Sequence, residues 1–461
     1  MSSKQLSRRS FLRLTTTAGA AAVLAACGGA PAAPQAPTTA PAAGGASGAA
    51  AALQGEIDYF TYDLGAANAS REEAVARFQS LNPGTTVKLT VLPYEELYEK
   101  VAAQMAAGQP PDVIYGDFGL LRYAVEGQLL DLTARVAADP VLSKPELFSV
   151  DLADPIQAKY GTDKIHALIL GTWAPVLYYN RDLFDAAGAA YPTDDWTWED
   201  LRAAARPLTN AAAGQYGFQF GTIYDHTGWI WWQHQPEDFW ATPQIFPKQT
   251  AWNSDSGRGV MQIIHGLTVE DNSTIPVEES DSYDVYGGGF GAGKVALYAG
   301  GDWDAGWSFR ELPFNWGMAM LPTVRKEIRP ALNTMVASNV VSAATKNPEL
   351  AWAFIRFLTA DAEGQTLIGQ GAYETPVLKS VAMSDPIMKP SWAPPGYDAR
   401  VRAALLPGPM YTPYPLTLNL WEFPDKILNP TVLRLRAGEL TPDEAVAFLD
   451  QEGTPFFQQL Q

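Results

Sequence analysis

Aromatic rings set among acids are the part of this sequence with chemical content. Its 461 residues include 14 Trp, 19 Tyr and 19 Phe. Trp229, Trp231, Trp232 and Trp240 fall in one segment, and Trp303, Trp307 and Trp316 in another. A flat ring stacks on an apolar C–H face while a nearby carboxylate or amide accepts from a rim of hydroxyls, a combination that suits a sugar. The same rings and acids could instead cage a cationic amine or compatible solute. Large aromatics are also ordinary core residues, and Trp229-Ile230-Trp231-Trp232 breaks strict alternation, so at least one of that group is expected to be buried. Trp232 is taken as the ligand candidate among them. Asp302 and Trp303 follow Gly300-Gly301, a turn where backbone can approach closely, with Asp302 as a hydroxyl acceptor. Tyr62 and Asp63 end a strand-like run and Asp117 follows another, the positions at which open α/β sheets hold ligands.

Other chemistries fit less well. Gly288 and Gly293-Lys294 have the spacing of a phosphate-binding loop, but Val295 stands where Ser or Thr must ligate magnesium. Val295-Ala296-Leu297-Tyr298 also reads as a strand where that loop requires a helix. The four His are scattered, His226 and His234 eight apart, so no metal is expected. No Gly-x-Ser-x-Gly elbow occurs. Acid pairs such as Glu278/Glu279 and Asp302/Asp304 would be needed for a secreted glycoside hydrolase, yet sequence neighbours say nothing of the through-space separation that mechanism requires. The reading is a binder, with no catalytic residues and no cofactor.

The N-terminus is a processing signal. Ser7-Arg8-Arg9-Ser10-Phe11-Leu12 precedes an apolar stretch from Leu14 to Ala26 and looks like a twin-arginine export signal. Leu24-Ala25-Ala26-Cys27 resembles a bacterial lipobox, whose Cys is lipidated and becomes the new N-terminus. Cys27 is the single cysteine, so the folded part has no disulfide. Net charge is −18; the first 26 residues carry four cations and no acid, so without them it is −22. Such a surface repels nucleic acid and does not dock on anionic lipid through a basic patch. Membrane attachment is left to the lipid. Residues 27–54 follow as lipidated Cys and Ala/Gly/Pro tether, too poor in aromatic and branched residues to fold.

From Glu56 onward strands alternate with helices on short connections, which predicts parallel sheet with helical cover. Ile57–Tyr62, Thr86–Leu92, Val113–Tyr115 and Val176–Tyr179 are strand-like. Helices are expected from Ser70, over 94–107, from Asn180 to Gly188, from Thr197, from Asn347-Pro348 and from Thr441-Pro442. About 400 residues after the tether imply two or more lobes.

Several blocks resemble the family-1 extracellular solute-binding proteins, which include maltose- and multiple-sugar-binding proteins. They are REEAVARFQSLNPGTTVKLTVLP, AAQMAAGQPPDVIYGD, VLYYNRDLFDAAG followed by Pro192 and TWEDLRAAARPLT, FGAGKVALYAGGDW, and NPELAWAFIRFLT with YETPV. The resemblance implies an α/β, two-lobed periplasmic-binding-protein fold of type II-like architecture, with ligand in a cleft between lobes joined by crossing strands. Crossings are expected near Leu170–Trp173, Arg329–Met335 and Gly371–Pro376. The lobes would then be 55–170 with 333–372, and 171–332 with 373–461. Trp303 matches the family's sugar-stacking Trp, while Trp173 and Tyr373-Glu374 lie at the first and last crossings and join the candidate site. Tyr178-Tyr179 resembles the tyrosine pair of ferric-binding relatives, but within LYYN it matches a strand of the sugar binders. The resemblance further implies an exported, lipid-anchored monomer that captures a sugar and hands it to the permease subunits of an ABC importer. Residues 381–430 match nothing in that family.

Overall fold

The computed structural model describes residues 52–460, apart from 155–157, 222, 235–239, 277–286, 328–334, 407–415 and 419–420. The export signal, Cys27 and nearly all of the tether lie outside the described residues, as do Glu278, Glu279 and all but the last residue of the crossing expected at Arg329–Met335.

Alternating strands and helices build the first lobe. Strand β1 (Gly55–Tyr62) buries Ile57 and everything from Tyr59 to Tyr62. Helix α1 (Asn68–Leu81) turns Ala74, Val75 and Phe78 inward. It starts two residues before Ser70, so Ser70 lies within its first turn instead of capping it. Asn82 ends it, donating from Nδ2 to the Phe78 carbonyl at 2.9 Å. Next come β2 (Thr85–Leu92), α2 (Tyr94–Ala106) with Leu97, Val101 and Met105 buried, and β3 (Val113–Gly116). Both β2 and β3 pair parallel to β1. β4 (Ala167–Trp173) is buried along its whole length.

The chain crosses at Ala174 into β5 (Pro175–Asn180) of the second lobe. Asn180 caps α3 (Arg181–Ala187) by accepting from the Leu183 amide, and Gly188 closes it at φ 62°. Thr197 and Asp200 form a reciprocal capping box on α4 (Trp198–Ala205). β6 (Tyr216–Phe220), α5 (Ile223–His234), α6 (Asp255–His265), β7 (Val295–Gly301), α7 (Asp304–Trp307) and β8 (Trp316–Met320) follow. The Trp run lies on α5, where residues 227–233 are all buried, so this helix is enclosed on every side. Val295–Tyr298 is strand, as the rejection of a phosphate-binding loop requires.

The chain then returns. β9 (Met335–Val341) inserts between β3 and β4, antiparallel to both. α8 (Pro348–Ala360) and α9 (Ala362–Gln370) lead to β10 (Thr375–Pro376), antiparallel to β4. The first sheet therefore runs β10-β4-β9-β3-β1-β2 and the second β8-β5-β7-β6. This is a mixed α/β fold of two sheets, each with its own helical cover.

One boundary falls later than expected. Beyond residue 373, β10 still belongs to the first sheet, and Ser149 donates to the Val377 carbonyl at 2.8 Å. Val377 is fully buried, and α10 (Lys379–Ala382) and α11 (Asp385–Met388) pack on α9. The chain thus stays with the first lobe through Met388. α12 (Ala399–Ala404) then packs on β5 and β8, while α13 (Asn429–Arg436) and α14 (Pro442–Gln459) pack on α6 in the second lobe.

Candidate functional site

Strand direction decides where the candidates meet. β1 and β3 run parallel, and β4 runs with them because β9 opposes both β3 and β4. The ends of these three strands therefore share one edge of the sheet, and they carry Tyr62, Asp117 and Trp173. In open α/β sheets this edge is where ligands bind.

Trp303 reaches the same edge from the second lobe. It stands two residues past the end of β7 and opens α7, its carbonyl accepting from the Trp307 amide at 2.9 Å. Its indole lies across Gly301: a Cβ built there would come within 2.1 Å of the ring, so only glycine permits this pose. Trp303 meets Trp173 edge to face, with centroids 5.9 Å apart. Trp173 meets Tyr373 at 5.9 Å and Tyr373 meets Tyr62 at 6.4 Å, all within the range of favourable aromatic contacts. Four of the expected residues thus form one continuous chain of ring contacts running from the first lobe to the second.

The contacts extend through rings not singled out in the sequence. Tyr62 lies 5.1 Å from both Tyr94 and Tyr115, and Tyr94 lies 5.1 Å from Tyr98. Tyr94 and Tyr98 stand four apart at the start of α2, on one helix face just past the end of β2. That spacing was visible but gave no reason to prefer them. Tyr62, Trp173 and Trp303 are buried, at 3%, 3% and 7% exposed, while Tyr94, Tyr98 and Tyr373 are half-buried. Burial drives the phenols of Tyr62, Tyr98 and Tyr115 well above their ordinary pKa, so they remain protonated hydrogen-bond donors.

The acids are arranged differently from the expectation that they face a ligand. Asp117 accepts from the Tyr94 hydroxyl at 2.8 Å, the Tyr98 hydroxyl at 2.7 Å and the Gly119 amide at 3.0 Å. It fixes the tyrosines. Asp63 is exposed and holds its own turn, accepting from the Gly65 amide at 2.9 Å and Asn68 Nδ2 at 2.6 Å. Asp302 is fully buried and ion-paired with Arg400. Glu374 is 1% exposed and ion-paired with Arg71. A buried carboxylate with such partners accepts from the protein itself. Trp232 is 4% exposed on α5, which packs against α6 and α13. It stands apart from the four rings in sequence and in element.

Two α/β lobes with a chain of aromatic contacts at their junction define a two-lobed binding protein. The chain matches the family described as bacterial extracellular solute-binding protein over residues 62–365, and it belongs to that family. A galactooligosaccharide-binding protein of Bacillus subtilis is 24% identical over 328 residues, covering 69% of this chain and 72% of that one. A binding protein of Brucella abortus strain 2308 is 23% identical over 381 residues, covering 81% and 86%. Among solved structures, an ABC substrate-binding protein from Listeria monocytogenes in complex with cycloalternan superposes with a TM-score of 0.69 at 20% identity, covering 88% of this chain and 98% of that one. The sugar-binding protein MalE from Xanthomonas citri gives a TM-score of 0.69 at 18% identity, with 88% and 98% covered. These family members and structural neighbours are binding proteins, not enzymes.

Proposed function

We propose that this protein captures a carbohydrate between its lobes and delivers it to the permease of an ABC importer. The observation that carries the reading is the ring sequence Tyr62–Tyr373–Trp173–Trp303, which joins both lobes at the ligand-binding edge. A stacked ring gains contact with sugar C–H faces, and the Tyr94 and Tyr98 phenols, whose protons go to Asp117, can accept from sugar hydroxyls. The relatives named for sugars support the same class of ligand. Export, and anchorage by lipid on Cys27, complete the reading: among the described residues no helix is long and apolar enough to cross a membrane.

A thermal-shift screen across mono- and oligosaccharides, polyols and betaines tests it, because a ligand that binds only the folded state raises the melting temperature. A sugar should give the largest shift. Its affinity should fall at least about tenfold in Trp303→Ala, the loss of a stacked face and its burial being worth on the order of 1.4 kcal/mol or more. A shift with betaines alone would replace the sugar by a cation. Unchanged sugar affinity in Trp303→Ala would remove that ring from the site.

A further inference from the structure

Three consecutive residues leading into β10 face three different parts of the molecule. Tyr373 lies among the aromatic rings, against Trp173 and Tyr62. Glu374 turns into the first lobe. Its Oε1 accepts from Arg71 Nη2 of α1 and from the Tyr115 hydroxyl of β3, and the Arg71 guanidinium lies 4.6 Å over the Tyr115 ring. Thr375 is paired by its backbone to Thr172 of β4, again in the first lobe. Its hydroxyl points the other way and donates to Asp302 Oδ2 of the second lobe at 3.0 Å.

Asp302 also grips the first crossing. Its amide donates to the Ala174 carbonyl at 2.9 Å, and its Oδ1 accepts from the Ala174 amide at 3.0 Å. Arg400 Nε of α12 reaches Oδ2 at 3.3 Å, while Arg400 Nη1 donates to the Tyr397 hydroxyl at 2.6 Å. Asp302, Arg400 and Thr375 are each fully buried. One carboxylate therefore ties together β10, the first crossing, α12 and, through its own backbone, Trp303.

An ion pair in this position is a poor investment in stability alone, since removing two charges from water costs about as much as their attraction returns. What a buried pair does supply is a fixed geometry. Here two such pairs, Arg71–Glu374 on one lobe and Asp302–Arg400 on the other, flank adjacent residues of a single connecting segment. We infer that Asp302 and Glu374 are positioning residues, which clamp the Tyr373–Thr375 segment between the lobes and thereby set the resting interlobe angle and the pose of Trp303. Neither touches the ligand. Any effect on sugar affinity rests on those aromatic rings being the binding site; the effect on lobe geometry does not. The Thr375 hydroxyl is the one element of the clamp that spans lobes without carrying charge, so it can be removed while both ion pairs stay.

The test measures the distance between spin labels on the two lobes of the ligand-free full-length chain. Labels go on exposed sites of α1 and α3, through Glu73→Cys and Ala186→Cys in a Cys27→Ser background. Thr375→Val should shift the mean distance by a few ångströms or visibly broaden its distribution, as expected when a hinge loses a constraint. Thr375→Ser, which restores the hydroxyl, should return the parent distribution. Thr375→Ala makes the same comparison with a smaller side chain if the valine disturbs packing. Because the distances are measured without ligand, failure of the clamp is separated from failure of the binding reading. If a sugar emerges from the screen, its affinity should change several-fold in Thr375→Val and recover in Thr375→Ser. A Thr375→Val distribution identical to the parent overturns the inference, as does a Thr375→Ser distribution displaced as far as the valine's.

Discussion

Burial is the force that reassigns individual residues here. Tyr62 was singled out because it ends a strand, Trp173 and Tyr373 because the family resemblance implies crossings there, and Trp303 because a glycine turn coincides with that resemblance. Asp302 and Glu374 sit in the same places, yet their partners lie 98 and 303 residues away, at Arg400 and Arg71. A sequence displays the carboxylate and hides the guanidinium. The difference has a titration consequence. Burial, opposed by Arg400, pushes the Asp302 carboxyl up from 3.8 to about 6, with Tyr178, Tyr397, Thr375 and the Ala174 amide as its other polar neighbours. Between those values the folded chain holds a proton that the unfolded chain has lost, so this group's contribution to stability declines as pH rises from about 4 to about 6. Asp302→Asn does not titrate. The stability of the parent minus that of Asp302→Asn, from urea midpoints at several pH values, should therefore fall across this window and level off above it. A difference that rises with pH would mean that Arg400 dominates and holds the carboxyl low.

Helix ends were the most readable elements, since a cap is a local exchange between a side chain and amides two or three residues on. Asn180, Thr197 and Thr441 all accept from such amides. Asn180 is 2% exposed, so its bond to the Leu183 amide at 3.2 Å has no water to replace it. Asn180→Ala should cost about 1 kcal/mol, seen as a lowered urea midpoint with an unchanged slope and unchanged ligand affinity. Ser70 shows the limit of the method: a good capping type lies inside the helix because the Asp63–Asn68 turn starts α1 earlier. β10 was placed by resemblance but assigned to the wrong side of the boundary. A two-residue strand has no periodicity of its own, and only its pairing with β4 reveals the lobe to which it belongs.

At the scale of the whole molecule, no helix among the described residues is long and apolar enough to cross a membrane. The proposed anchorage rests on one sulfur, that of Cys27. Cys27→Ala should move the exported protein from the membrane fraction to the soluble fraction, or block its processing, as read by fractionation and intact mass. A variant that is processed normally and stays on the membrane would mean another anchor. Length implied two or more lobes and the order of strands and helices implied α/β, because alternation survives any error in individual boundaries; that the lobes are two came from the family resemblance.

The insertion of β9 between β3 and β4 also governs how this chain comes into being. Synthesis proceeds from one end, so β3 and β4 emerge with open edges facing a gap that only residues 335–341 can fill. Those residues follow Trp173 by more than 160 positions, and at roughly 5–20 residues per second the gap persists for about 8–30 s. During that time the second lobe can form its own sheet, since β5 to β8 are contiguous, while the first lobe waits without its middle strand. Newborn chains interrupted before β9 lack β10 as well, leaving one edge of β3 and both edges of β4 unpaired, the surfaces by which one chain most readily finds another.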